Sequence, residues 1–380
     1  MKKTLVALAA LAAVGAAFAQ STVTLYGRVD VNLSVITQKT GGVKTADNNV
    51  GAQIATGNQW GQTGSRWGLK GTEDLGGGMN ALFQLESGFA ADNGKGQQVG
   101  RLFGRQLFVG LGGGFGTFTV GRQYSPLDTI WGSYDAQGYN TTAPISFAWN
   151  NGPQNYGSTA ALVGVHNDTG RIDNSVQYAT PNLSGFTGSI MWAPGENKNP
   201  VTGVGASRYW GGNVQYNNGP LGVGLGYENS NAKTAATSTS ISDWVLGAQY
   251  NFGPAKLYGM YERGRSNLEA GTILGTNATN GIAAGFGGVA TGPGVDKGWD
   301  FGVSVPFGAA TFAASYARET TTATGAAISG KNTAWGAQVN YALSKRSQVY
   351  AMYMDGKSQA AGAAASTKFT ALSLGLRHDF

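Results

Sequence analysis

The chain has 380 residues, of which 62 are Gly and 12% are charged. Gly at about 16% is over twice its usual share and charge about half of it, which excludes a coiled coil, a disordered polyampholyte and collagen. Cys is absent and the two His residues, His166 and His378, are far apart. No disulfide framework, thiolate metal site or iron–sulfur cluster is possible, and no metal or cofactor is expected.

In chain order, Lys2 and Lys3 precede an apolar stretch from Leu5 to Ala13, and Ala17-Phe18-Ala19 offers a small-residue cleavage site. This pattern predicts a signal peptide over residues 1–19, leaving 20–380 as the exported protein. The apolar stretch is too short to span a bilayer as a helix. Removing Lys2 and Lys3 from the 26 basic residues leaves 24 against 20 acidic ones, a mature charge of +4. That balance is too mild for a nucleic-acid partner, and no basic block supports one.

From Val23 to Val35 the odd positions are apolar or Gly, and the even positions are Thr, Tyr, Arg, Asp, Asn and Ser. This period of two predicts a strand with one apolar and one polar face. Turn-forming clusters then recur at 74–78, 112–114, 181–185, 217–220, 251–254, 306–308 and 343–346. Between them lie longer polar stretches at 37–59, 91–100, 124–169, 193–207, 229–240, 266–296, 319–331 and 356–366. Seven short turns join fourteen strands in pairs, and the first strand with a last one at residues 369–380 makes sixteen.

Short turns at one rim and long loops at the other describe an outer-membrane barrel. An open sheet would leave two unpaired edges inside lipid, so the sheet must close, and at sixteen strands closure leaves an aqueous channel. The predicted fold is therefore all-β: a 16-stranded antiparallel transmembrane β-barrel in the outer membrane. Aromatic residues near strand ends, Tyr26, Trp60, Tyr178 and Tyr250, are candidates for a girdle at the membrane interface.

Enzyme motifs fail. Residues 110–115 lack the last Gly of GxGxxG, Ala351 stands where a Walker A motif ending at Lys357-Ser358 needs Gly, and neither HExxH nor GxSxG occurs. His166 has Asp168 and Asp173 near it in sequence but no nucleophile motif, so a barrel enzyme is the weaker reading and an adhesive barrel a third. Passive diffusion of small hydrophilic solutes through a water-filled pore is the expected function.

The stretch Ser65-Arg66-Trp67-Gly68-Leu69-Lys70-Gly71-Thr72-Glu73-Asp74-Leu75-Gly76-Gly77-Gly78 resembles a segment of the trimeric general porins of Gram-negative bacteria, most closely the betaproteobacterial branch with its anion-selective members. Val23-Thr24-Leu25-Tyr26-Gly27, Val109-Gly110-Leu111 with Gly121-Arg122-Gln123, Tyr178-Ala179-Thr180-Pro181-Asn182 and Gly375-Leu376-Arg377-His378-Asp379-Phe380 carry the same resemblance. It implies a homotrimer, a third loop (residues 124–169) folded into each pore, and a preference for inorganic anions. The Pro-Glu-Phe-Gly motif common in that loop is absent.

The resemblance also assigns Arg66, Arg105 and Arg171 to the pore constriction, with Glu86 as a lumen acid. Alternation agrees for Arg66, Glu86 and Arg171, whereas Arg105 has the parity of the apolar Leu107 and Val109. Asp128 and Asp135 on the third loop are expected to oppose or modulate the arginines. Phe380 ends a strand whose Leu372, Leu374, Leu376 and His378 share its face, which resembles the signal read by the barrel-assembly machinery. Outer-membrane lipid completes the expected partners.

Overall fold

A computed structural model describes residues 22–47, 53–56, 61–98, 101–140, 143–149, 170–195, 208–233, 238–266, 294–323, 329–359 and 364–380. The predicted signal peptide, Trp60 and His166 lie outside them. Every consecutive pair of strands from β4 (Arg66–Gly76) to β18 (Thr367–Asp379) is antiparallel and hydrogen-bonded. The first strand, β1 (Thr22–Thr40), closes the ring by pairing with β18 on one edge and β4 on the other.

Eighteen strand segments make sixteen staves, because β2 (Val43–Asp47), β3 (Gln53–Thr56) and β4 lie in line along one edge of β1. Part of the stretch 37–59, expected to be a loop, therefore returns into the wall. Its β-branched Val43, Ile54 and Thr56 suit a pleated surface, and the exposed edge of β1 offers unpaired backbone groups. The wall is also taller than expected at 229–240, 266–296, 319–331 and 356–366, where β11 (Leu221–Lys233) to β18 run several residues into the predicted loops.

All seven predicted turns stand at the opposite rim, between β4 and β5 (Met79–Gly88), β6 (Gln106–Gly113) and β7 (Gly116–Tyr124), and so on round the barrel. The chemistry is local. At the turn after β12 (Ser238–Asn251), the Asn251 side chain accepts from the Gly253 N–H at 2.9 Å, and Gly253 takes φ +94, which its missing Cβ allows.

Alternation sorts the side chains. Leu25, Val109, Ile190, Leu225, Phe301 and Leu374 face outward and are exposed, while Asp30, Ser34, Ser175, Asp243 and Ser373 face inward. This is a soluble protein turned inside out, as lipid requires. No helix among the described residues is long and apolar enough to cross a membrane, so crossing falls to the strands.

Outward-facing Trp and Tyr alternate on eight successive strands from β10 (Arg208–Asn218) to β17 (Ser347–Gln359): Trp210, Tyr227, Trp244, Tyr261, Trp299, Tyr316, Trp335 and Tyr353. Their rings approach pairwise at 4.9–5.4 Å, as in Trp210–Tyr227 and Trp244–Tyr261, and Tyr227 pairs with Trp244 in register. Of the girdle candidates, Tyr250 and Tyr178 do face outward near the turn rim. Tyr26 does not: its hydroxyl donates to Glu86 on the inner face. Its even position in β1 places it there.

The barrel interior is not empty. The third loop carries helices α1 (Pro126–Tyr134) and α2 (Pro144–Trp149), which lie against the inner wall of β9 (Phe186–Pro194) to β17. Leu127, Ile130, Trp131, Tyr134, Ala143, Ile145 and Ala148 bury themselves with Val245, Met260 and Ala317 of the wall. Phe147 stacks on Phe369 at 5.8 Å. Ser125 caps α1 by accepting from the Asp128 N–H at 3.1 Å, and Pro126 suits the first turn. Gly224 and Gly247 supply flat floor beneath Tyr134: a Cβ at Gly247 would sit 2.5 Å from its ring.

Candidate functional site: the narrowed lumen

One half of the inner wall is basic. Arg105 donates from Nε to Glu86 Oε1 at 2.7 Å and from Nη2 to the Tyr124 hydroxyl at 3.0 Å. Arg66 Nη1 stands 4.0 Å from the same Glu86 oxygen, and Tyr26 donates to Glu86 Oε2 at 3.1 Å. Arg171 donates to the Tyr124 hydroxyl, with its guanidinium 4.3 Å from the centre of that ring. The structure thus gathers Arg66, Arg105, Arg171 and Glu86 around one tyrosine pair. Charges held this way by hydrogen-bonded or stacked contacts keep their position.

Two arginines not foreseen extend the basic half. Arg122 donates to Asp173 Oδ1 at 2.7 Å and Arg101 to the same carboxylate at 2.9–3.0 Å. Five guanidinium groups thus face two carboxylates. Arg122 lies within the Gly121-Arg122-Gln123 motif, yet even positions in β7 read as outward, beside the exposed Phe118 and Val120. A register shift between Gly121 and Gln123, with Asn174 at φ 54, breaks the alternation there.

Arg171 sits beyond the same bulge, so alternation with Asp173, Ser175 and Gln177 does not carry through to it. Its neighbour Ile172 is the residue that packs inward, against Met191, Ala193 and Tyr209. Arg105 resolves differently. It precedes β6, outside the regular strand, so the parity of Leu107 and Val109 does not govern it.

The two loop acids divide. Asp128 is partly exposed and its carboxylate lies against Gly170, next to Arg171. Burial pushes its carboxyl up to about 7, with Arg171 pulling it back. Asp135, expected to oppose the arginines across the lumen, is instead buried at 4% exposure and accepts from the Tyr139 N–H. Burial raises it to about 6.

The other half of the wall is acidic. Glu228, Asp243, Glu262, Asp296, Asp300 and Glu319 all point inward from β11 to β15 (Ala310–Ala323) and are all buried. Tyr209 donates to Glu228 at 3.1 Å and Asn332 to Glu319 at 3.0 Å. Among the described residues, Asp243, Glu262 and Asp300 have no ion-pair partner. The third loop covers this half, pinned by Gln137 to Ser315 and Gly336 and by Asn140 to Gln338. Alternation could have found these acids, since each shares a face with neighbours that point into the barrel.

At the seam, Gly27 and Phe380 exchange backbone hydrogen bonds at 3.1 and 3.0 Å. The Phe380 ring lies where a Cβ on Gly27 would be, on the outward face with Leu372, Leu374, Leu376 and His378.

A closed sixteen-stave barrel with an apolar exterior, an aromatic girdle and a polar lumen narrowed by one loop defines a diffusion channel of the outer membrane. The chain matches the Gram-negative porin family over residues 5–361. It is 37% identical over 290 residues to outer membrane porin protein 32 of Delftia acidovorans, covering 76% of this chain and 77% of that one. It is 33% identical to an outer membrane porin protein of Bordetella pertussis over the full length of both. An anion-selective porin from Comamonas acidovorans superposes with a TM-score of 0.71 at 28% identity, covering 95% of this chain and 100% of that one. OmpT of Vibrio cholerae lacking loop L8 shares the fold at a TM-score of 0.64 and 15% identity, over 95% and 99%. The chain belongs to the Gram-negative porins: it is an outer-membrane channel and not an enzyme.

Proposed function

We propose that the channel passes small hydrophilic solutes and ions by passive diffusion with a preference for inorganic anions, set at Arg66, Arg105 and Arg171. The observation that carries this reading is the asymmetry of the lumen. The arginines surround a single Glu86, while the acids of the facing wall lie beneath the apolar helices of the third loop. Guanidinium groups stay charged at ordinary pH and dehydrate at lower cost than ammonium groups. Fixed at a narrowing with low-dielectric walls, they concentrate anions. The selectivity named for the Comamonas acidovorans porin agrees with this reading.

Reversal potentials in planar bilayers under a salt gradient test it. The intact protein is anion-selective, and replacing all three arginines with Ser moves the reversal potential toward cations, most visibly at low salt. A cation-selective wild type, or a triple variant with unchanged selectivity, overturns the assignment.

The assembly is a homotrimer. From β18 through β1 to β6 the outer face carries aliphatic residues such as Leu374, Leu33, Leu25, Leu85 and Val109, without the girdle of β10–β17. That aliphatic arc suits packing against another copy. Residues 1–19 serve export, and Phe380 serves recognition by the barrel-assembly machinery. Deleting Phe380 lowers trimer yield in the membrane without lowering synthesis; equal yield at natural expression removes that role.

A further inference from the structure

Arg66 enters the wall from a stretch of chain that lies inside it. The ladder between β1 and β4 ends at the Arg28–Arg66 pair, and the ladder with β3 resumes at Val31–Thr56. Between the two, Asp30 has no strand partner on that edge among the described residues. Residues 61–65 fold onto the inner wall instead, where Gln62 donates to Asn340 on β16 (Ser329–Ala342) and accepts from Gln348 on β17.

Asp30 fastens this segment with its main chain and its side chain. Its N–H donates to Ser65 Oγ at 3.0 Å, and that hydroxyl donates back to the Asp30 carbonyl at 3.1 Å. The Ser65 side chain thus replaces the missing ladder partner and satisfies backbone groups that are costly to bury alone. The Asp30 carboxylate is fully buried and accepts from the Thr63 N–H at 2.9 Å through Oδ2 and from the Tyr350 hydroxyl through Oδ1. Tyr350 reaches it from β17 by lying across Gly375 of the intervening β18, where a Cβ would sit 2.1 Å from its ring.

The segment in turn orients Arg66. The guanidinium donates from Nε to the Gly64 carbonyl at 3.1 Å and from Nη2 to Thr63 Oγ1. Glu86, at 4.0 Å, is beyond hydrogen-bond reach and supplies attraction without direction. Arg105 and Arg171 differ, since Arg105 bonds directly to Glu86 and both bond to Tyr124.

We infer that Asp30 is a positioning residue for the constriction: through Thr63 and Ser65 it fixes the guanidinium of Arg66, and Tyr350 holds its carboxylate in place. Asp30 is buried and does not meet the permeating ion. By charge alone, removing an acid beside an anion-preferring pore raises that preference or leaves it unchanged. Positioning has the opposite sign. The effect on selectivity rests on the anion reading of the lumen; the placement of Arg66 does not.

The test compares Asp30→Ala and Arg66→Ser, alone and together, by reversal potential in planar bilayers, with crystal structures of the wild type and of Asp30→Ala. In the variant structure the Arg66 guanidinium leaves Gly64 and Thr63. Asp30→Ala lowers the anion-to-cation permeability ratio about twofold, as for a unit charge withdrawn from some 7 to some 10 Å of the ion path in water. In the Arg66→Ser background it lowers the ratio no further, because the group it acts through is gone. An unmoved guanidinium overturns the inference whatever the selectivity. Where Arg66→Ser does lower anion preference, an unchanged or raised preference in Asp30→Ala also overturns it, and so does an equal twofold loss in the Arg66→Ser background. If Arg66→Ser keeps wild-type selectivity while the guanidinium moves in Asp30→Ala, the anion reading fails at Arg66 and the positioning stands. If Asp30→Ala does not fold, Tyr350→Phe, which keeps every charge, decides the matter by the same two readouts, with a loss of about 1.5-fold expected.

Discussion

The two halves of the inner wall contain similar chemistry and treat it in opposite ways. On β4 to β8 (Arg171–Ala179), charged groups of opposite sign are paired with each other: Arg105 with Glu86, and Arg122 and Arg101 with Asp173. On β11 to β15 the acids are covered by Leu127, Ile130, Trp131 and Tyr134. What an ion meets therefore depends less on the sum of charges, +6 for the whole chain, than on which side the third loop rests against. A basic lumen is obtained here by hiding acids as much as by adding arginines.

Undocking the loop breaks the contrast most completely. Gly247→Leu drives a branched side chain into the Tyr134 ring, an overpacking that costs on the order of 1–3 kcal/mol. Single-channel conductance is expected to rise about twofold as the lumen widens, with selectivity moving toward cations as the acids become wet. Unchanged conductance in a folded variant would show that the loop does not set the bore.

Glu86→Gln sharpens it. Removing the one acid among the three arginines raises the anion-to-cation permeability ratio by about sevenfold, because a unit charge some 7 Å away in water shifts anions and cations by about RT each in opposite directions. Reversal potentials measure this, and a shift toward cations would show that Glu86 mainly holds Arg105 in place.

Proton binding provides a graded version. Asp128 is raised to about 7 from an ordinary 3.8. Its carboxyl is neutral below the ordinary value in folded and unfolded chains alike; between the two values only the folded chain keeps the proton, and above 7 both have lost it. Stability contributed by that proton is full at low pH and lost as pH rises through 7. Selectivity follows the same course. Anion preference is higher at pH 5 than at pH 8, and Asp128→Asn holds it near the pH 5 level throughout. A variant with the pH dependence of the wild type places the titrating group elsewhere.

The smallest effect belongs to charges outside both halves. Arg28 and Asp379 pair at the seam with side chains 26% and 34% exposed, where water screens them. Arg28→Gln lowers stability by less than about 1 kcal/mol in denaturant titration. Selectivity is unchanged, so a shift in reversal potential here would mean that the seam also contributes to the pore field.

The architecture was readable because barrels write themselves in period two. The seven turns, the outward and inward faces of β1 and β5, and the inward Arg66 and Glu86 all follow from alternation and from Gly, Asn and Pro chemistry. Alternation fails where the chain leaves the pleat. Arg105 precedes its strand, the bulge at Asn174 comes between Arg171 and the regular part of β8, and Arg122 turns inward beside that bulge. Segments β2 and β3 were hidden because they are only five and four residues long, and only the open edge of β1 recruits them. The resting place of the third loop was the least legible feature, since it depends on glycines such as Gly224 and Gly247, paired across β11 and β12 and remote in sequence from the loop, lining up as a floor. Asp135 reads as a lumen acid in sequence and becomes a buried one because that floor draws the loop down onto it.

The seam between β1 and β18 has a consequence in time. Arg28 and Asp379 meet across 351 residues of chain, and their strands pair over thirteen positions. Contacts so distant in sequence reward the chain only after the entropy of a long loop closure has been spent, which makes such topologies slow to form. Until that pairing occurs every intermediate sheet has two raw edges, competent to join any other strand it encounters. Slow closure and sticky edges together give the unassembled chain a lifetime in which aggregation competes with insertion. Its abundance in a cell is therefore governed by how quickly the last strand is delivered to the first.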